Sequence, residues 1–260
     1  MCKLKTCFFM GVFTALAASM ALSQSFGQPQ NTCVGLPSQA ALKTALISAT
    51  ATETSGLNNH MWGVIVDRDG IVCAVAFTGI NRGAQFPGSR IIAATKANTA
   101  NAFSLDSTSE SAGSGQPYGL AISSANLYSS AQPGGGLFGL AATNPVNAEA
   151  AYAGPPSNYG TQFDPMVGQR IGGVGVSGDT ACGDHNIGWR VRHNLGYDHM
   201  LGGGSLLPVG GVSGDPSHPD NIIFDIVPNP NGGSGVSPSG YGHPACLNSS
   251  GSSTLPPVIP

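Results

Sequence analysis

The alternation of apolar and polar positions divides the chain into a short series of elements. Pro37 and Ser38 open a stretch to about Glu53 in which Ala41, Leu42, Ala45, Leu46 and Ala49 recur at helical spacing. Residues 61–67, Met-Trp-Gly-Val-Ile-Val-Asp, form an apolar run that reads as a buried strand. Asp67-Arg68-Asp69-Gly70 then predicts a tight hairpin turn, because Asp-Gly accepts the positive φ such turns need, and Ile71 to Phe77 is the return strand. From Ser89 to Phe103 the chain is Ala-rich and helical, with Ile92, Ala93, Lys96, Ala97, Ala100 and Phe103 in sequence. A weaker helix is expected near Leu120 to Tyr128, a strand over Ile171 to Val176 and a helix over Asp184 to Leu195. Beyond about residue 200 the chain reads as loop, with Ile222 to Val227 its one strand-like island. A strand-turn-strand unit excludes a purely parallel sheet, so the order of elements predicts an α+β domain, an antiparallel sheet with helices packed on it.

Composition sharpens this picture. Gly 38 and Pro 19 in 260 residues are well above the usual share of about 12% for the two together, which implies long loops. Only 9% of residues are charged and the formal net charge is −3, which argues against a nucleic-acid partner and against a polybasic membrane motif. Hydrophobic residues at 41% suffice for a core. A surface carried by Ser, Asn, Thr and Gln rather than by charge suits an exported protein.

The N-terminus fits that expectation. Lys3 and Lys5 precede an apolar run from Phe8 to Leu22, too short for a comfortable membrane span and right for a signal peptide. Ala21 and Ser23 suit the −3 and −1 positions, and Ser25 and Gly27 are a second option. Residues 1–23 are therefore the expected signal peptide, with cleavage between 23 and 27 and a secreted or periplasmic product. Four cysteines then remain: Cys33, Cys73, Cys182 and Cys246. Oxidising conditions favour disulfides. A bridge from Cys246 to Cys33 or Cys182 would hold an otherwise loose tail, whereas Cys73, in the middle of a strand, is expected to be a buried free thiol. The tail itself is expected to be dispensable for folding.

Several motifs carry candidate chemistry. Gly173-Val-Gly175-Val-Ser-Gly178 matches a dinucleotide fingerprint, but the βαβ unit that gives the fingerprint meaning does not follow it. A strand ending in a tightly packed glycine turn is the better reading. Gly-Val-Ser-Gly-Asp recurs at 175–179 and 211–215, too short to establish a repeat. Cys182-Gly-Asp184-His185 at a helix start has metal-ligand residue types, with no second matching pair taken to complete a zinc site. Asp184 is expected to cap its helix. Lys96 on an apolar helix needs a partner, such as Asp67 or Asp184, or a ligand carboxylate. His60, His185 and His193 are the imidazoles near the core that can ligate a haem iron.

Three segments together resemble the GlcG/HbpS family of haem-binding proteins: Gly63-Val-Ile-Val-Asp67-Arg-Asp-Gly70, Ala94-Thr-Lys96-Ala97-Asn-Thr99-Ala100, and Ile171-Gly-Gly-Val-Gly175-Val-Ser177-Gly178 followed by Asp184. Their order and spacing after an N-terminal helix carry the resemblance, which covers about 36–200. It implies a profilin-like antiparallel five-stranded sheet flanked by helices, a homo-oligomer, and haem as ligand. Against the family pattern, about 144–170 is an insertion and 201–260 a Gly/Pro-rich C-terminal extension. The candidate ligand residues are His185 and His193, then His60, with Lys96, Arg190 and Arg192 as partners for haem propionates and Trp189 as apolar surface. A haem-sensing or haem-sequestering role is the first expectation. A haem-degrading or small-metabolite enzyme on the same fold, or an interaction module that has lost the ligand site, are the alternatives. Catalysis has no support in the residues themselves, which show no nucleophile-base pair, paired-carboxylate signature or nucleotide loop.

Overall fold

Two clusters of buried side chains lie on opposite faces of a small antiparallel sheet, and the sheet's alternation assigns residues between them. A computed structural model describes residues 33–105, 119–138, 154–164, 175–201, 209–233 and 235–260. These belong to one compact unit, Thr32–Pro260. The expected signal peptide lies outside the described residues, as do 171–174 of the expected strand and Gly173 of the glycine motif.

Helix α1 spans Gln39–Thr52. Ser38 caps it by accepting a hydrogen bond from the Ala41 N–H at 3.2 Å, satisfying one of the free donors of the first turn. Leu42, Ala45, Leu46 and Ala49 form its buried stripe. Strand β1 (Trp62–Val66) is buried along its whole length and sits between β2 (Val72–Phe77) and β4 (Gly175–Ser177), antiparallel to both. A second, parallel pair joins β3 (Leu120–Ala121) to β5 (Gly210–Gly211). The fold is thus mixed α+β, and its larger sheet has three strands among the described residues.

Trp62, Val64 and Val66 of β1, with Val72, Val75 and Phe77 of β2, meet Ala93, Ala94 and Ala97 of helix α2 (Ser89–Phe103). Ile65, Ala74 and Ala76 point the other way, onto α1 and onto Ile187 and Val191 of helix α4 (Ala181–Asn194). Small residues let α2 lie close to the sheet. At Gly175 a Cβ would overlap the Ala93 carbonyl, so this glycine of the motif is a packing residue, not part of a phosphate loop. The expected helix near 120–128 is instead β3, a 3₁₀ turn at Ser124–Leu127, and the short α3 (Tyr128–Ala131).

The hairpin turn forms as expected. Gly70 has φ +82°, and the Asp67 carboxylate accepts from the Ile71 N–H at 2.7 Å. The pairing passes from Ile65–Ala74 to Val66–Val72, which leaves Cys73 as the extra residue of a β-bulge. The bulge turns its side chain out of the ladder toward the N-terminal segment, where it bonds Cys33. Cys73 is therefore not a free thiol. Cys246 pairs with Cys182, one of the two partners expected for it.

Part of the 144–170 region is described. Arg90, at the start of α2, pairs in the interior with Asp164 and lies 4.1 Å over the Tyr159 ring. The C-terminal tail is mainly loop, as its composition implies, with β5, a 3₁₀ turn at Ser250–Thr254 and a single Val227–Val236 bridge in place of the strand expected over Ile222–Val227, but it is not separable. Leu255 and Val258 pack on Trp189 of α4, whose indole N–H donates to the Pro256 carbonyl at 2.8 Å. The Gly251 N–H donates to Ser55 Oγ at 2.7 Å. An apolar tail end beneath a buried tryptophan overrides low periodicity, so the expectation of a dispensable tail is corrected. Among the described residues no helix is long and apolar enough to cross a membrane.

Candidate functional site

The turn from β4 into α4 organises the polar groups of the site. Thr180, not Asp184, is the N-cap of α4, accepting from the Gly183 N–H at 3.2 Å. Asp184 sits in the first turn and reaches back, its Oδ1 accepting from the N–H groups of Gly178 (3.1 Å) and Asp179 (2.8 Å). Its Oδ2 meets Lys96 Nζ at 2.5 Å, so the lysine of α2 finds one of the two acids expected for it. Burial pushes the Asp184 carboxyl up, and the Lys96 ammonium opposes that push. Asp67 serves the hairpin turn.

One residue on, His185 is half-buried as a residue, but its Nε2 has no accessible surface and no hydrogen-bond partner. Burial lowers its pKa to about 4, with the Asp220 carboxylate and the neighbouring Asn221 side chain resisting and Arg192 and His243 reinforcing the shift. The ring is neutral at physiological pH, the state in which an imidazole ligates a metal. Arg192 follows two turns later. Its terminal nitrogens grip Asp220 at 2.6 and 2.9 Å, and its guanidinium lies 4.6 Å from the Trp189 ring centroid. Burial alone would lower the Arg192 pKa, but the Asp220 carboxylate outweighs it and raises it. Arg192 Nε is buried without a partner, and so is Asp198 Oδ1. Three unsatisfied polar atoms thus cluster on α4 and the loop after it, where such atoms are ordinarily rare.

Two of these three residues, His185 and Arg192, line a cavity of about 750 Å³. Its walls include Ile65 and Val66 of β1, Ile122, Val176, Leu195 and Met200. Lys96, Arg68 and His243 also reach it. The volume falls in the range of cofactor and small-molecule sites, about 300–1,000 Å³, and the mix of apolar wall with a few convergent polar groups is typical of them.

Of the six residues expected at a ligand site, Lys96, His185 and Arg192 meet at this cavity. His193, His60 and Arg190 do not line it. His193 Nδ1 is 2.6 Å from Asp198 Oδ2, and among the described residues no hydroxyl or thiol hydrogen-bonds its ring. His60 lies 3.3 Å from Thr78 Oγ1, its ring edge toward Phe77. Arg190 bridges Glu53 at 3.1 Å and Thr254 Oγ1 at 2.9 Å, fastening the tail.

Two cavity residues escaped the sequence reading. Arg68 was read only as part of the hairpin turn; it donates to Asn101 Oδ1 at 2.9 Å and has no carboxylate partner among the described residues. His243 lies in the tail, and the available signal was His243-Pro-Ala-Cys246, the mirror of Cys182-Gly-Asp-His185. Comparison with protein-family models, curated proteins and solved structures found no match to this chain.

Proposed function

We propose that this is an exported haem-binding protein of the GlcG/HbpS type, which sequesters or senses haem without turning it over. The observation that carries the reading is the unpartnered Nε2 of a neutral His185 at the wall of an apolar cavity of about 750 Å³. Bound haem supplies an iron that accepts an imidazole nitrogen. Ligation by His185 would exchange an unsatisfied atom for a coordinate bond. Arg68, free of any carboxylate partner among the described residues, would meet one propionate, and Lys96 and Arg192, each already in an ion pair, would meet the polar end. The apolar walls provide for the porphyrin faces.

In this reading the β2-β1-β4 sheet is part of a profilin-like five-stranded sheet, and the disulfides are those of a secreted or periplasmic protein. A homo-oligomer is carried by the resemblance, and the solution mass of the haem complex measures it. Adding ferric haem to the purified protein tests the function. One equivalent per chain is expected, with an absorption band displaced from that of free haem and stable for hours with reductant and oxygen. A band that bleaches under those conditions would make the protein haem-degrading. No displaced band would remove haem as the ligand.

A further inference from the structure

Cys182 and Cys246 belong to a motif that runs in both directions. Cys182 and His185 stand three residues apart on the first turns of α4, and His243 and Cys246 stand three apart in the tail. The fold brings the pairs together. One ligand atom each from Cys182, His243 and Cys246 lies within 4.8 Å of the others. The sulfurs are joined as a disulfide, with Cα atoms 6.0 Å apart.

The surroundings suit metal ligation. His243 Nδ1 is 2.7 Å from the Pro244 carbonyl oxygen, which can only accept, so Nδ1 carries the proton and Nε2 keeps its lone pair. The Cys182 N–H, at the N-terminal end of a 14-residue helix, donates to Cys246 Sγ at 3.2 Å. Such a donor and the helix dipole both favour a thiolate over a thiol. Beside this set stands His185, whose Nε2 is buried and unpartnered.

We propose that the Cys182–Cys246 disulfide masks a metal site, and that its reduction creates a Cys₂His centre from Cys182, Cys246 and His243 that binds zinc(II). A dithiol reductant delivers two electrons and two protons to the S–S bond, giving two thiols while the reductant closes to its own disulfide. Zinc(II) then forms two Zn–S bonds and one Zn–N bond, and the two thiol protons pass to the buffer. Two thiolates and an imidazole are the donor types zinc prefers, and the fourth tetrahedral position remains for solvent or a further side chain. The site responds to redox state: closed when oxidised, metal-loaded when reduced.

Cobalt(II) is the probe, because its thiolate charge-transfer and tetrahedral visible bands report the donor set directly. Protein without the expected signal peptide, residues 1–23, which holds Cys2 and Cys7, is titrated with cobalt(II) anaerobically before and after dithiol reduction, and zinc(II) is then added to displace it. Circular dichroism monitors the fold throughout. Reduced protein is expected to keep its fold and bind one equivalent with sulfur-to-cobalt bands that zinc removes; oxidised protein should show none. His243→Ala keeps Cys33, Cys73, Cys182 and Cys246 and should weaken binding at least tenfold at equal titrated thiol. A Cys33→Ser/Cys73→Ser variant should retain the bands, since the second close group, Cys33, Asp67 and Cys73, is not the site. Undiminished binding in His243→Ala, bands that depend on Cys33 and Cys73, or binding only by an unfolded reduced chain would each overturn the proposal.

Discussion

A neutral imidazole held inside a protein ties stability to pH. In the unfolded chain a histidine titrates near 6.5, whereas burial lowers folded His185 to about 4. Between those values the unfolded chain binds the extra proton and the folded chain does not. Stability therefore rises with pH across this window and falls as the solution is acidified from about pH 6.5 toward 4. The loss attributable to His185 is at most about 3 kcal/mol. Burial lowers His243 as well, so it adds in the same direction, while the raised Asp184 acts in the opposite one. Comparing His185→Gln with the natural chain isolates the first contribution. Urea midpoints at neutral and mildly acidic pH should converge less steeply for the variant, and identical pH slopes would show that His185 is not the buried group responsible.

At the scale of elements, one ion pair ties α2 to the β4–α4 turn. Asp184 is almost wholly buried and Lys96 has 23% of its side chain exposed. Removing the cation strands a carboxylate whose remaining partners are two backbone N–H groups. Lys96→Met should cost about 2–4 kcal/mol by chemical denaturation. Adding Asp184→Asn should recover part of that loss, since neither charge is then stranded. A Lys96→Met variant as stable as the natural chain would mean that the pair contributes nothing net.

That Lys96 needs an acid was legible in the sequence, because it stands amid Ala93, Ala97 and Ala100; that the acid is Asp184 and not Asp67 was not, since the choice depends on how α2 packs beside the β4–α4 turn. Also legible were α1, the hairpin and α2, whose apolar periods and Asp-Gly turn are local properties. Cys73 was not legible. Its place in an apolar strand suggested a buried thiol, and a bulge depends on how two strands pair, which no single strand encodes. The N-cap of α4 was misread for a related reason. Thr180 and Asp184 both suit a helix start, and only the backbone path after Gly178 decides between them.

The whole molecule is closed by its own C-terminus. Low apolar periodicity made residues after 200 read as an appendage, yet Leu255 and Val258 cover Trp189, and Glu53, Ser55, Asn186 and Arg190 lace the same segment to α1 and α4. Long-range contacts of single side chains leave no periodic trace, so neither this closure nor the entry of His243 into the cavity wall could be read from apolar periodicity; only the mirrored Cys-x-x-His and His-x-x-Cys spacings pointed to the second. Leu255→Ala should cost about 2–4 kcal/mol. Its Trp189 fluorescence should shift to the red as the indole loses its cover. An unchanged midpoint and spectrum would place the tail outside the cooperative unit.

The structure, finally, separates three histidines that the sequence ranked as His185 and His193, then His60. His185 lines the cavity, His193 is held by Asp198, and His60 sits by Thr78 on the turn into β1. Haem titration of His185→Ala, His193→Ala and His60→Ala beside the natural chain is the most direct test of haem ligation through His185. Only His185→Ala is expected to lose the displaced band or weaken haem binding tenfold or more, while the other two bind as the natural chain does. A His185→Ala protein with unchanged spectrum and affinity would contradict it.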